Sequence, residues 1–93
     1  MKKMTLFYLR GCPYCDKAKR AMAELNEENA AYAAVEADWV EENEHPELAE
    51  QYDYYYVPTI FADGKKLYEA NPSQSYDEIK RSIRAALDAV CAE

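Results

Sequence analysis

The sequence predicts an α/β domain with the element order βαβαββα, a four-stranded mixed sheet flanked by three helices. Three observations carry this expectation. An apolar run, Met4 to Leu9, passes directly into a stretch with Ala18, Ala21, Met22 and Leu25 at helical spacing. Asp63-Gly64 stands between two strand-like runs and reads as a hairpin turn. Ser75 and Glu78 make a capping box that opens a last helix, whose Ile79, Ile83, Leu87 and Val90 form one apolar stripe. The strand–helix–strand unit implies two parallel strands, the hairpin adds antiparallel ones, and helices cover both faces.

The elements follow in order. Met4 to Leu9 is the first strand. The first helix runs from about Pro13 to Glu28, because proline suits a first helical position and the Asn26 to Asn29 stretch ends it. Tyr32 to Trp39 is expected as the second strand, although its alanines weaken the β pattern. Acidic Glu41 to Glu44 leads into a short helix around Pro46 to Tyr52. Val57 to Ala62 is the third strand and Lys65 to Glu69 the fourth. With no repeat or interdomain linker, residues 1–93 are expected to form a single domain, near the lower end of what buries its own core.

Composition narrows the chemistry. Apolar residues make up 49% of the chain and no segment is low in complexity, so a folded globule is expected. The net charge of −7 is uneven: no lysine or arginine occurs between Ala21 and Gly64, where twelve of the eighteen acids fall. That balance argues against nucleic acid as a partner, since its binding rests on neutralising phosphates. Three cysteines are too few for a disulfide scaffold, and two of them are too close in sequence to close a useful loop. Such usage fits a reducing compartment in which the pair is catalytic. Met1-Lys2-Lys3 superficially resembles a signal peptide, but the apolar run after it ends at Arg10, short of a secretory or membrane-spanning segment. A cytoplasmic chain with no membrane partner is expected.

The pair lies in Arg10-Gly11-Cys12-Pro13-Tyr14-Cys15, where strand gives way to helix. A thiol in the first turn faces unpaired N–H groups and the positive end of the helix dipole, which favour its ionised form. The thiolate is the nucleophile, so the placement suits attack on disulfides. Arg10, Lys17, Lys19 and Arg20 flank the motif, either as a solvated face or as a field that favours ionised Cys12 and attracts an anionic thiol substrate. Asp16 either stabilises the helix start or raises the Cys15 pKa and keeps that thiol protonated. Zinc wants four ligands and this pair offers two; His45 and Cys91 sit in distant elements, so no metal site is expected. His45 reads as an exposed connector residue and Cys91 as a buried or helix-end cysteine. Tyr52, Tyr54, Tyr55 and Tyr56 either cover the core beneath the third strand or line a groove beside it.

This order, with Cys-Pro-Tyr-Cys after the first strand and Val57-Pro58-Thr59 opening the third, resembles the thioredoxin fold. The tetrapeptide and the short length are similar to the glutaredoxin branch, over nearly the whole chain. The resemblance implies a thiol–disulfide oxidoreductase in which Cys12 is the exposed attacking thiolate and Cys15 the resolving thiol. It implies a cis Pro58 facing the cysteines, the backbone of Val57 pairing with an extended substrate, and Tyr14 lying against the same groove. Arg10 stands in for the cation that many glutaredoxins carry three residues before the first cysteine, where this chain has Leu9. The implied partners are disulfide-containing proteins or small molecules, with no bound cofactor. Glutathione, as a co-substrate, and a flavin-dependent reductase are rival electron donors. The family's Gly-Gly pair and following Asp, which hold glutathione, are absent: this chain reads Leu67-Tyr68-Glu69-Ala70-Asn71-Pro72-Ser73-Gln74-Ser75. Asn71, Ser73 and the helix start at Ser75 would receive a carboxylate, whereas Glu69 would repel one. An iron–sulfur cluster carrier using Cys12, or a redox-inert interaction domain, are the alternatives from other classes.

Overall fold

The computed structural model describes residues 2–92. The chain runs β1 (Lys3–Tyr8), α1 (Pro13–Glu28), α2 (Ala30–Ala33), β2 (Glu36–Glu41), α3 (Pro46–Ala49), β3 (Thr59–Ala62), β4 (Lys65–Glu69) and α4 (Tyr76–Cys91). The sheet order is β2-β1-β3-β4. β1 pairs parallel with β2 and antiparallel with β3, and β3 pairs antiparallel with β4. This is the expected mixed four-stranded sheet, with α1, α3, the hairpin and α4 in place. At the hairpin turn, Asp63 (φ 52°) and Gly64 (φ 77°) both take left-handed backbone, as a tight primed turn requires.

Several boundaries differ from the expectation, β1 by one residue at each end and β2 by two at its end, and three differences have a clear cause. The second strand begins at Glu36, not Tyr32, because Asn29 caps an extra helical turn, α2, by accepting the Ala31 N–H at 2.9 Å. Of the alanines that weakened the strand pattern, Ala33 therefore belongs to a helix and Ala34 caps it, while Ala37 lies in β2; among the described residues there are four helices rather than three. Tyr32 is buried and donates its hydroxyl to Asp88 at 2.5 Å, fixing this turn to α4. The third helix stops at Ala49 and releases Tyr52 to pack on the sheet. The third strand starts at Thr59, since Val57-Pro58 forms a cis bend before it.

Alternation along β1 divides the core. Met4 and Leu6 face α1 and α4, where Ala18, Ala21, Met22 and Leu25 meet Ile79, Ile83, Leu87 and Val90 in one cluster. Phe7 faces the other side with Val40 and Phe61. There Tyr52 and Tyr54 cover it, their ring centroids 4.9 and 5.1 Å from that of Phe7. Two of the four clustered tyrosines thus cover the core, partly buried.

Each edge strand ends in a glutamate that ties down a loop near the thiols. Glu41, at the end of β2, is 6% exposed. It accepts the Arg10 N–H at 3.0 Å and the Asn43 N–H at 2.6 Å. Those backbone donors, Arg10 first, hold its carboxyl below the usual carboxylate range. Glu69, at the end of β4, accepts the N–H groups of Tyr55 and Tyr56 at 2.7 and 2.9 Å and pairs with Lys66 at 2.7 Å. The Lys66 ammonium, then the two N–H groups, lower its pKa to about 2.

A glutamate in the unfolded chain titrates near 4.3, so the Glu69 contribution is present above that pH and is lost as pH falls towards about 2. Glu69→Gln is expected to lower the unfolding free energy by about 1 kcal/mol at pH 7, the outer edge of the ion pair being screened by solvent. Urea unfolding of both proteins from pH 7 down to pH 2 checks this: the difference should close between about pH 4 and pH 2.

Candidate active site

β1 ends at Tyr8, and the chain turns at Gly11 with φ of +80° to deliver Cys12 as the N-cap of α1. No atom lies within 4 Å of where a Cβ on Gly11 would stand, so the left-handed backbone, not lack of space, calls for glycine. Pro13 occupies the first helical position. The Cys15 N–H donates to the Cys12 sulfur at 3.4 Å, which makes that sulfur the helix's own cap. Cys12 is half-buried, with solvent access on its outer side.

Cys15, one turn on, is 1% exposed. Burial pushes its thiol up to about 12; the hydrogen bond and charge of Cys12 and the charge of Asp16 act the same way, while the Leu9 backbone opposes them. Asp16 therefore does raise Cys15, but as the last of the causes. Two chemically identical groups are set apart by position: one accessible at a helix start, the other enclosed and protonated.

Opposite the thiols stands the cis Val57-Pro58 bond, with Pro58 buried. The Val57 carbonyl oxygen lies 3.9 Å from the Cys12 sulfur. Cys12, Cys15, Val57 and Pro58 thus gather at one end of the sheet. Tyr14 sits beside them, packs on the main core and donates its hydroxyl to the Pro72 carbonyl, joining α1 to the β4–α4 connection. Arg10 is turned away: its guanidinium pairs with Glu44 at 2.5 Å, towards the β2–α3 loop. The other cations flanking the motif lie over rings, Lys17 over Tyr14, Lys19 over Tyr8 and Trp39, and Arg20 over Tyr76. His45 is exposed at the start of α3 and pairs with Glu47 at 3.6 Å. The Cys91 thiol is directed at the Ala31 carbonyl, 3.6 Å away, at the end of α4.

The β4–α4 connection satisfies itself. Gln74 accepts from the Tyr68 hydroxyl at 2.6 Å and from the Asn71 N–H at 3.2 Å. Asn71 accepts both the N–H and the hydroxyl of Ser73, at 3.1 and 2.9 Å. Ser75 and Glu78 close the capping box at the start of α4 as expected. Sequence reasoning missed Glu41, which was lost within the acidic run Glu41 to Glu44. It also missed the service of Glu69 to the Tyr55-Tyr56 backbone, for which position at a strand end was the available signal.

Comparison with known proteins agrees with this geometry. The glutaredoxin family model matches residues 4–67, which include both cysteines and Val57-Pro58 and stop before the β4–α4 connection. The chain is 33% identical over 72 residues to the thioredoxin of Methanocaldococcus jannaschii, an alignment that covers 77% of this chain and 82% of that protein. A mutant thioredoxin from Halobacterium salinarum superposes with a TM-score of 0.58 at 26% identity, over 89% of this chain and 72% of that one. A malarial protein shares the fold at a TM-score of 0.61 and 17% identity, over 88% and 92% of the two chains. The chain belongs to the glutaredoxin family, adopts the thioredoxin fold, and has the thiol–disulfide oxidoreductase type of function that the family carries.

Proposed function

We propose that this protein reduces disulfides of proteins or small molecules through Cys12 and Cys15, and that a flavin-dependent dithiol reductase, rather than glutathione, recharges it. The observation that carries the mechanism is the asymmetry of the two thiols, Cys12 half-buried at a helix N-terminus and Cys15 enclosed behind it. The Cys12 thiolate attacks one sulfur of the substrate disulfide. The substrate S–S bond breaks, and the departing sulfur leaves with the bonding pair and takes up a proton. Cys15 then gives up its proton and attacks the Cys12 sulfur, expelling the second substrate thiol and closing the Cys12–Cys15 bond. Two electrons and two protons pass from the pair to the substrate.

The sequence of events is built into the Cys15 environment. Its thiol is raised by burial first, then by the hydrogen bond and charge of Cys12. Once Cys12 is in a mixed disulfide it carries no charge, so those two influences lapse and Cys15 ionises more readily when resolution is due. The Val57 carbonyl beside Cys12 offers a main-chain acceptor to an extended substrate. Pro58 and Tyr14 shape the two sides of that groove, while Arg10 anchors its loop through Glu44 and Glu41. The dithiol itself carries the electrons, so no resident cofactor is required.

The choice of donor rests on the β4–α4 connection. Its Asn71, Ser73 and Gln74 groups are engaged with one another, the α4 start is filled by Ser75 and Glu78, and the Glu69 carboxylate adjoins them. A glutathione carboxylate would meet Asn71 and Ser73 N–H groups already engaged, with the Lys66-paired Glu69 carboxylate beside them.

Cys12→Ser is expected to bring disulfide reduction down to the uncatalysed rate, and Cys15→Ser to accumulate mixed disulfides visible by intact mass. Full activity in both variants would reject the mechanism. For the donor, the oxidised protein should be reduced by NADPH and a thioredoxin-type reductase roughly tenfold or more faster than by millimolar glutathione. Rapid equilibration through a trapped Cys12–glutathione adduct would reverse that assignment.

A further inference from the structure

Apart from Phe7, Phe61, Tyr32, Tyr52, Tyr54 and Tyr68, which belong to the core or cover it, the aromatic rings fall into two groups. Tyr8, Tyr14, Trp39 and Tyr76 each have one of the chain's own cations over them, with Lys19 only 4.1 Å from the Tyr8 centroid and Arg20 4.8 Å from that of Tyr76. Tyr55 and Tyr56 do not: they are 88% and 53% exposed, and among the described residues no lysine or arginine is stacked on either. Lys66, the neighbouring cation, has its ammonium bound to Glu69 at 2.7 Å and to the Asp53 carbonyl at 3.2 Å. Nor have the two rings escaped burial through a loose backbone, since Glu69 holds both of their N–H groups.

The position of these rings is informative. They directly precede Val57, whose carbonyl faces the Cys12 sulfur at 3.9 Å. At about 3.3 Å per residue, Tyr55 lies within roughly 7 Å of that residue along the chain. Tyr55 also walls a cleft with Glu42, Asn43, Pro46, Glu50 and Tyr54, and Tyr56 walls a second one with Glu69, Ala70 and Asn71. Arg10, the cation beside the β2–α3 side of this face, is spent on Glu44. An open aromatic surface with an acidic wall and committed cations is complementary to positive charge.

We propose that Tyr55 and Tyr56 form a docking shelf for an extended peptide substrate that carries lysine or arginine beside its disulfide. The inference rests on the dithiol function proposed above and names its substrate class. A cation one or two positions from the substrate cysteine lies over either exposed ring, with Glu42 and Glu50 beside Tyr55 and Glu69 beside Tyr56 as the acidic surroundings, while the cysteine sulfur meets Cys12. The electron transfer is the two-step exchange already described, so no further reactant enters.

The test uses three peptide disulfides of equal length whose cysteines are flanked by lysine, serine or glutamate. Single-turnover reduction by the reduced protein is followed at low salt, and the lysine-to-glutamate rate ratio is taken within each variant so that general changes in thiol reactivity cancel. The expected ratio in the unaltered protein is about tenfold or more. Because each ring over a cation is worth a factor of roughly 2–5, the ratio should fall to about threefold or less in Tyr55→Ser/Tyr56→Ser. Glu50→Lys should lower it as well, by a route independent of the rings. Equal rates for the three peptides would overturn the shelf. So would a ratio that survives in the double variant and collapses only with salt, since net charge would then account for it. Failure to reduce even hydroxyethyl disulfide would instead sink the dithiol function, and this inference with it.

Discussion

A reactive sulfur at the end of a sheet is only as well placed as the two irregular segments on either side of it, and irregular segments carry backbone N–H groups that no strand partner satisfies. Here carboxylates join main-chain bonds, such as Cys12 N–H to the Leu9 carbonyl and Ala70 N–H to the Pro58 carbonyl, in closing both segments. β2 and β4 are the edge strands, and each finishes in a glutamate that collects N–H groups from the neighbouring central connection, Glu41 from Arg10 and Glu69 from Tyr55 and Tyr56. Charge-assisted bonds of this kind are about twice as strong as neutral ones, and they fix loop shape without adding residues. The Cys12 loop and the Val57 loop are therefore each held by a glutamate from an edge strand.

The same end of the molecule shows how position alone separates equivalent groups. Cys12 and Cys15 are both cysteines three residues apart, yet one caps a helix and the other is sealed beneath it beside Tyr68, whose own hydroxyl is raised to about 12 by burial and then by the Cys15 charge. Burial around Cys15 is the first cause of its raised pKa, and the hydrogen bond and charge of Cys12 add to it. Charge elsewhere is sorted in a comparable way. Cations on α1 cover aromatic rings on that face, and acids dominate the opposite rim.

Most of the architecture was legible because it is written locally. Periodicity marked α1 and α4, the Ser75–Glu78 spacing marked the start of α4, and Asp63-Gly64 marked the hairpin. The Tyr32 region was not, since an alanine-rich stretch has no strong preference until Asn29 caps it and Tyr32 finds Asp88 on a helix 56 residues away. At the thiol end of the sheet, Cys12 and Cys15 were singled out from motif and placement, and Val57 and Pro58 through the resemblance to the family. The direction of the Arg10 side chain was not, because its partner Glu44 depends on where β2 ends. Glu41 escaped notice for a related reason, since nothing in the run Glu41 to Glu44 shows which acid will be turned inward, and the hold of Glu69 on the Tyr55-Tyr56 backbone depends on where β4 ends.

The hairpin register has a consequence for how this chain can tolerate length changes. Ala62 pairs with Lys65 and Phe61 with Lys66, but Ile60 pairs with Tyr68 and Thr59 with Glu69, so β4 holds one residue more than its partner, at Leu67. A ladder continued regularly from the turn would instead set Tyr68 opposite Thr59 and carry Glu69 out of reach of the Tyr55-Tyr56 backbone. An insertion at the Asp63-Gly64 turn looks harmless on an exposed loop, yet an odd shift in pairing would exchange the two faces of β4. Indels in this short hairpin are thus filtered by parity: a change at a surface turn is read out at the thiol end of the sheet.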